Sequence, residues 1–299
     1  MLLFVEIFCN MVRISAVLFF LFLVGVVYPQ SKLLLGMDDL SSTTYSEIGG
    51  NEIGRLEIIY GKDIYPNDPL KVDLTSLTRA INKAFPKKNA GGYGMLDWEG
   101  KAYQILAQSK SENSAFKQVR AEFIKAISYA QKLRPNVKWG FFEIPFRGIR
   151  FANEKAKLHS HNQIIDLLKQ CDVLYPSMYG YTPDNIGNLD DVSYALSLAS
   201  KLDKRVYPLV WHRYQGDKNS RTKRYWFEII PKSTFVNRIK QINTVRYKGR
   251  AVDGVVWWGR DTYFYTHKNA VVTQEARNIT DFKMKYNKMV KDYIIDIKK

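Results

Sequence analysis

The sequence predicts one α/β domain folded as a distorted (β/α) TIM-like barrel, and three observations carry that prediction. Short apolar runs alternate with segments of helical spacing along most of the chain. Strands alternating with helices imply parallel strands joined by crossover helices. Neither G-x-G-x-x-G nor G-x-x-x-x-G-K-[ST] occurs, so the nucleotide-binding α/β folds lose their usual mark. Finally, the C-terminal ends of the apolar runs collect aromatic rings and carboxylates, and a barrel keeps its chemistry at that end.

The elements follow in order. Leu56 to Tyr60 is a short apolar run, and Leu74 to Phe85 has helical spacing in Leu74, Leu77, Ile81 and Phe85. Tyr93 to Trp98 reads as a buried strand. Ser114 to Leu133 carries Phe116, Val119, Phe123, Ala126, Ile127 and Ala130 on one stripe and stops before Pro135. Strands are expected at Lys138 to Ile144, Val173 to Tyr179, Arg205 to Trp211 and Gly254 to Trp258. Helices are expected at Asn162 to Lys169, at Asp190 to Leu202 and at Ser233 to Val245 with Ser233 as N-cap. The last thirty residues read as a basic helix. Residues 31 to 50 offer no clear first strand.

The 299 residues suit one large domain, and 46% hydrophobic content with 14% aromatics is enough for a sizeable core. The formal net charge is +16. Such a balance favours polyanions by long-range steering, whether nucleic acid, an acidic lipid surface or an acidic polysaccharide; a merely solvated basic surface is the plain alternative. There is no zinc-finger spacing and no RNA-binding aromatic signature, so nucleic acid is not the expected partner. Residues 1 to 30 read as a signal peptide: Arg13 supplies the basic start, Ile14 to Val27 the apolar run, and Tyr28, Pro29 and Gln30 break it. An uncleaved anchor is the alternative, although a spanning helix needs about 20 residues. The expected location is secreted or periplasmic, with the barrel over residues 31 to 299. The two cysteines, Cys9 and Cys171, leave no disulfide inside the barrel domain.

Asp97, Trp98 and Glu99 end the strand GYGML. Side chains alternate along a strand, so Asp97 and Glu99 point the same way. Two carboxylates a few ångströms apart repel, and the raised one stays protonated long enough to act as an acid. Glycosidic cleavage needs such an acid. A pair on one strand cannot flank the bond from both sides, which suits the route where the substrate's own 2-acetamido oxygen attacks. The plain alternative is a capping Asp beside a surface Glu.

Six blocks in order resemble the hyaluronidase family of glycoside hydrolases (family 56). They are LEIIYGKDIYP (56 to 66), GYGMLDWEG (92 to 100), WGFFEIPF (139 to 146), VLYPSMY (173 to 179), VYPLVWHRYQ (206 to 215) and DGVVWWG (253 to 259). The resemblance implies a distorted barrel and endo-cleavage beside N-acetylhexosamine in glycosaminoglycans, hyaluronan or chondroitin, with no cofactor. It implies Glu99 as the acid/base, Asp97 as the acetamido partner and Tyr179 as the hydroxyl that holds the acetamido group. Trp258 would floor the sugar subsite and Tyr60 would line the cleft. Trp211 and Arg213, at the end of another strand, are further substrate-binding candidates. Arg147, Arg150 and Arg260 join Arg213 as possible uronate partners. The chain departs from the family pattern at Gly61, at His212 and Arg213, and in lacking the animal enzymes' cysteines.

The remaining motifs are weaker. His159 and His161 diverge if helical, so no metal site is expected. A chitinase-like hydrolase shares the DWE strand end, but its upstream acids would fall at Gly92 and Met95. A polysaccharide-binding barrel without catalysis is the non-enzymatic reading. The sequence does not indicate an oligomeric state.

Overall fold

The computed structural model describes residues 32–38, 40–49, 53–108, 110–216 and 221–299. Residues 1 to 30, read above as a signal peptide, lie outside them. The described chain starts with a strand, β1 (Lys32–Met37), where no clear strand was expected. Its KLLLGM sequence lacks the alternation that marks a half-wet strand, because the middle of a parallel barrel is covered on both faces. There follow α1 (Ser42–Ile48), β2 (Ile53–Tyr60), the single turn α2 (Gly61–Ile64), α3 (Leu74–Ala84), β3 (Gly92–Asp97), α4 (Lys101–Gln108), α5 (Ser114–Leu133) and β4 (Val137–Phe141). Next come α6 (Glu154–Gln163), α7 (Ile165–Gln170), β5 (Val173–Leu174), α8 (Leu189–Leu202), β6 (Arg205–Val206) and β7 (Leu209–Trp211). The chain ends with α9 (Lys232–Thr244), β8 (Gly254–Gly259), α10 (Asp261–Thr266) and α11 (Ile279–Lys298).

The strands curl into a distorted (β/α) barrel. One all-parallel sheet runs β4-β3-β2-β1-β8-β7, and β5 pairs with β6. Two single bridges link the sheets, Phe142 to Tyr175 and Ser177 to Leu209. Prolines explain the distortion. The expected strand at Val173 to Tyr179 is cut after Leu174 by Pro176, and Arg205 to Trp211 is cut into β6 and β7 by Pro208. Each proline lacks an N–H for the ladder, yet their carbonyls still accept from Leu209 and Val256 at 2.9 Å each.

Helix ends follow local chemistry. Asp73, Asn113 and Asn188 accept backbone N–H bonds as N-caps of α3, α5 and α8. The expected Ser233 cap is not used: α9 starts one residue earlier, after Pro231, and no side chain caps it. In the first turn of α8, Asp191 is buried and holds the Lys157 ammonium at 2.7 Å. Cys171 is a free, buried thiol at the base of the barrel. Among the described residues no helix is long and apolar enough to cross a membrane.

Register sets the strand ends side by side. Tyr60 pairs with Asp97, Trp211 pairs with Trp258, and Gly36 pairs with Trp258 on the other side. Gly94 in β3 leaves room for the Trp139 ring, which a β-carbon there would strike. Trp98 leaves β3 on the side opposite Asp97 and is 1% exposed. Its ring stacks on Phe123 of α5 (4.4 Å, 14°) and on Tyr65 (5.5 Å, 24°), and its indole donates to the Pro69 carbonyl at 3.1 Å. Trp98→Ala is therefore expected to cost about 3–5 kcal/mol, read as a lower urea midpoint with an unchanged slope.

Candidate active site

At the C-terminal mouth of the barrel lies an open cleft of roughly 260 Å³. It brings together Asp97 and Glu99 from the end of β3, Tyr179 after β5, Trp211 from β7 and Trp258 from β8. Five of the seven site residues expected from sequence thus line one cavity. Pleating does the first part of the work: with Trp98 locked outward, the residues on either side of it both face the mouth.

Tyr179 sits in an aromatic frame. It stacks on Trp258 (5.5 Å, 25°) and leans on Trp211 and Phe142 at 5.8 Å each. Trp211 and Trp258 meet edge to face at 5.0 Å. Burial, then the charges of Asp97 and Glu99, push the Tyr179 hydroxyl well above its usual range. It stays protonated and can donate a hydrogen bond.

The carboxylates are both shifted upward. Burial first, and then the Glu99 charge, raise Asp97 well above the normal carboxylate range, against an opposing pull from Arg260. Glu99 is open to water on one side and crowded by protein on the other. Burial, then the charge of Glu143, raise it, while Arg150 and Arg147 pull it down. Both carboxyls therefore hold a proton to higher pH than an isolated carboxyl does.

Glu143 was not singled out in the sequence. It follows Phe142 with a left-handed backbone (φ 54°), unusual for a residue with a side chain. Arg150 holds its carboxylate bidentately at 3.0 and 3.2 Å, and Arg147 approaches at 3.2 Å. Arg147 also donates to Ser177, to Gln215 at 3.1 Å and to the Tyr179 carbonyl at 3.4 Å. These arginines are thus engaged with Glu143 and the cleft wall. Gln215, Trp226 and Phe227, from the long connection after β7, line the cleft too, as do Met95, Phe142 and Phe264. The aromatic pair in RYWFEII was the visible signal for the first group, but nothing local indicated that it folds back over the mouth.

Two expected residues fall elsewhere. Tyr60 stands at the Asp97 edge through strand register, half-buried, with its hydroxyl 3.5 Å from Asp38. Arg213 is only 1% exposed and does not reach the cleft. Its Nε donates to Asp261 at 2.5 Å and its two Nη groups grip Glu275 at 2.6 and 2.8 Å. A guanidinium so engaged behind β8 is not positioned to meet a sugar in the cleft. Its neighbour His212 is also internal. The Trp257 indole, a donor only, gives its proton to His212 Nδ1 at 3.0 Å, so Nε2 carries the hydrogen toward Asp261 at 3.1 Å. Burial alone would raise Asp261, but His212 and Arg213 outweigh it and hold the carboxyl at about 2. The departures at 212 and 213 therefore form one buried polar chain.

His161 is buried and accepts the Phe146 N–H at 2.9 Å, and burial takes it down to about 4. Among the described residues no group of three or more His, Cys, Asp or Glu side chains is arranged to hold a metal ion.

The fold and the mouth together define a (β/α) barrel with paired carboxylates set in a frame of aromatic rings. The comparisons are narrower. No protein-family model matches the chain. Hyaluronidase Tab y 2.0101 of Tabanus yao is 24% identical over 231 residues, 64% of this chain and 62% of that protein. The chain thus spans less than two thirds of that relative's length. Bee venom hyaluronidase superposes with a TM-score of 0.61 at 16% identity, over 89% of this chain and 99% of the other. Bee venom hyaluronidase in complex with a hyaluronic acid tetramer gives 0.55 at 15% identity, over 82% and 95%. In sequence and in fold, the chain is similar to hyaluronidases.

The raised carboxyls carry a consequence for stability. A carboxyl whose folded pKa exceeds its unfolded one costs stability above the unfolded value, and the cost vanishes in acid. Asp97→Asn is expected to raise the melting temperature by a few degrees at pH 8 and to leave it unchanged near pH 3, as calorimetry would read.

Proposed function

We propose that this protein is an endo-acting glycoside hydrolase that cleaves N-acetylhexosaminidic bonds in a glycosaminoglycan, hyaluronan or chondroitin, with retention through substrate assistance. The observation that carries the reading is the shared cleft of Asp97, Glu99, Tyr179 and Trp258, in a chain whose relatives by sequence and fold are hyaluronidases. Trp258 offers a flat face to a pyranose ring, and buried Trp211 braces it edge to face. Protonated Glu99 donates to the glycosidic oxygen as the bond to the anomeric carbon breaks. The 2-acetamido carbonyl oxygen of the same sugar forms the new bond, giving a cyclic oxazolinium ion. Asp97 accepts the acetamido N–H and stabilises the positive charge that develops there, while the Tyr179 hydroxyl holds the acetamido oxygen in line. Ionised Glu99 then takes a proton from water, whose oxygen opens the ring, restoring the enzyme and the sugar's configuration.

The +16 charge favours an acidic polymer. A secreted or periplasmic location follows from the leader reading, which rests on residues 1 to 30. Chitin-type cleavage and binding without cleavage remain outcomes of the test rather than parts of the proposal.

The test incubates the protein with hyaluronan and with desulfated chondroitin, beside Glu99→Gln, and reads products by mass spectrometry. Saturated oligosaccharides ending in reducing N-acetylhexosamine are expected, with Glu99→Gln slower by at least about 100-fold. Unsaturated products would mean a lyase and sink the mechanism. Binding without products would leave a lectin-like barrel. A second variant checks the acid's setting. Glu143→Gln removes the charge that raises Glu99 and frees two arginines that lower it. The alkaline limb of the rate profile is expected to move to lower pH, and an unmoved limb would remove Glu143 from the account.

A further inference from the structure

Arg260 directly follows β8, two residues beyond Trp258 in the cleft. Its guanidinium carbon lies 4.0 Å from the centroid of the Tyr60 ring and 4.0 Å from that of Tyr263. Its Nε donates to Asp38 at 2.8 Å. Two aromatic rings and one carboxylate therefore contact the planar group. The Nη edge has no protein acceptor among the described residues, and the side chain keeps 19% of its surface in water. Stacking and the Asp38 bond remove most of the rotamer freedom a long arginine would otherwise lose on binding.

Its place is equally defined. Tyr60 pairs in register with Asp97, and the Arg260 charge reaches Asp97. Trp258, Tyr60, Arg260 and Tyr263 thus continue the aromatic surface of the cleft past the Asp97 side. The other cleft-side arginines differ. Arg147 and Arg150 are both turned to the Glu143 carboxylate, and Arg213 is buried with two acids.

We propose that Arg260 is the substrate-specificity residue of this cleft, its open Nη edge taking the carboxylate of a uronic acid next to the N-acetylhexosamine held by Asp97. This rests on the hydrolase reading above and names which side chain makes that site select an acidic polymer. A planar fork meets a carboxylate through two parallel N–H bonds, and a neutral sugar offers nothing equivalent.

The experiment compares wild type, Arg260→Gln and Arg260→Lys on hyaluronan and on hyaluronan whose uronate carboxyls have been reduced to alcohols. Affinity for oligosaccharides of both kinds is read alongside by tryptophan fluorescence in the Glu99→Gln background, which needs no turnover. Arg260→Gln is expected to raise KM and Kd on hyaluronan by about tenfold, the size of a charge-assisted contact. Wild type and Arg260→Gln should bind the reduced polymer with the same Kd. Arg260→Lys should fall between, since it keeps charge but loses the fork. Equal affinity of wild type and Arg260→Gln for hyaluronan would overturn the proposal while cleavage upheld the hydrolase reading. An equal loss on both polymers would also overturn it, making Arg260 a prop for Tyr60. If wild type neither bound nor cleaved hyaluronan, both the proposal and the hydrolase reading would fall.

Discussion

The cleft depends on how Trp98 is held. It is the residue between the two carboxylates, and its ring is clamped between Phe123 and Tyr65 while its indole ties to Pro69. A strand end is ordinarily a fraying place. Here a large buried ring prevents rotation of the chain, and the pleat converts that into direction: whatever flanks Trp98 faces the mouth. The acidic pair can then sit close together, strained electrostatically, because packing supplies the stability that the repulsion removes.

Charge around the mouth is graded rather than maximal. Glu99 has a third carboxylate, Glu143, as neighbour, and Glu143 is itself neutralised by Arg147 and Arg150. Asp97 has Arg260 on its other flank. The two acids of one strand therefore live in different fields. Separate fields are how two like groups acquire different roles. Behind the cleft, Arg213, His212, Asp261 and Glu275 form a buried polar chain in which each charge has a partner. That chain also bonds the Trp257 indole and the Phe227 carbonyl.

Much of the barrel was legible from local pattern. The stripe on α5, the apolar core of β2 and the DWE strand end all express period and burial that a few adjacent residues encode. β1 was missed because a strand covered on both faces has no alternation to read. Val173 to Tyr179 and Arg205 to Trp211 were read as continuous because their residues favour strands, while Pro176 and Pro208 deny the ladder its N–H groups.

The sequence by itself determined the class of fold and the identity of the acidic pair, since alternation along one strand is a local property. It also set aromatic rings at the strand ends. Only the tertiary structure decided which of those residues share a cavity. Register across the barrel brought Tyr179, Trp211 and Trp258 around Asp97 and Glu99, and a long connection folded Gln215, Trp226 and Phe227 over them. It sent Arg213 into the interior and left Arg260 at the edge. Arginines look alike in a sequence, and only the partners that surround each guanidinium fix whether it is spent on the fold or free to meet a ligand.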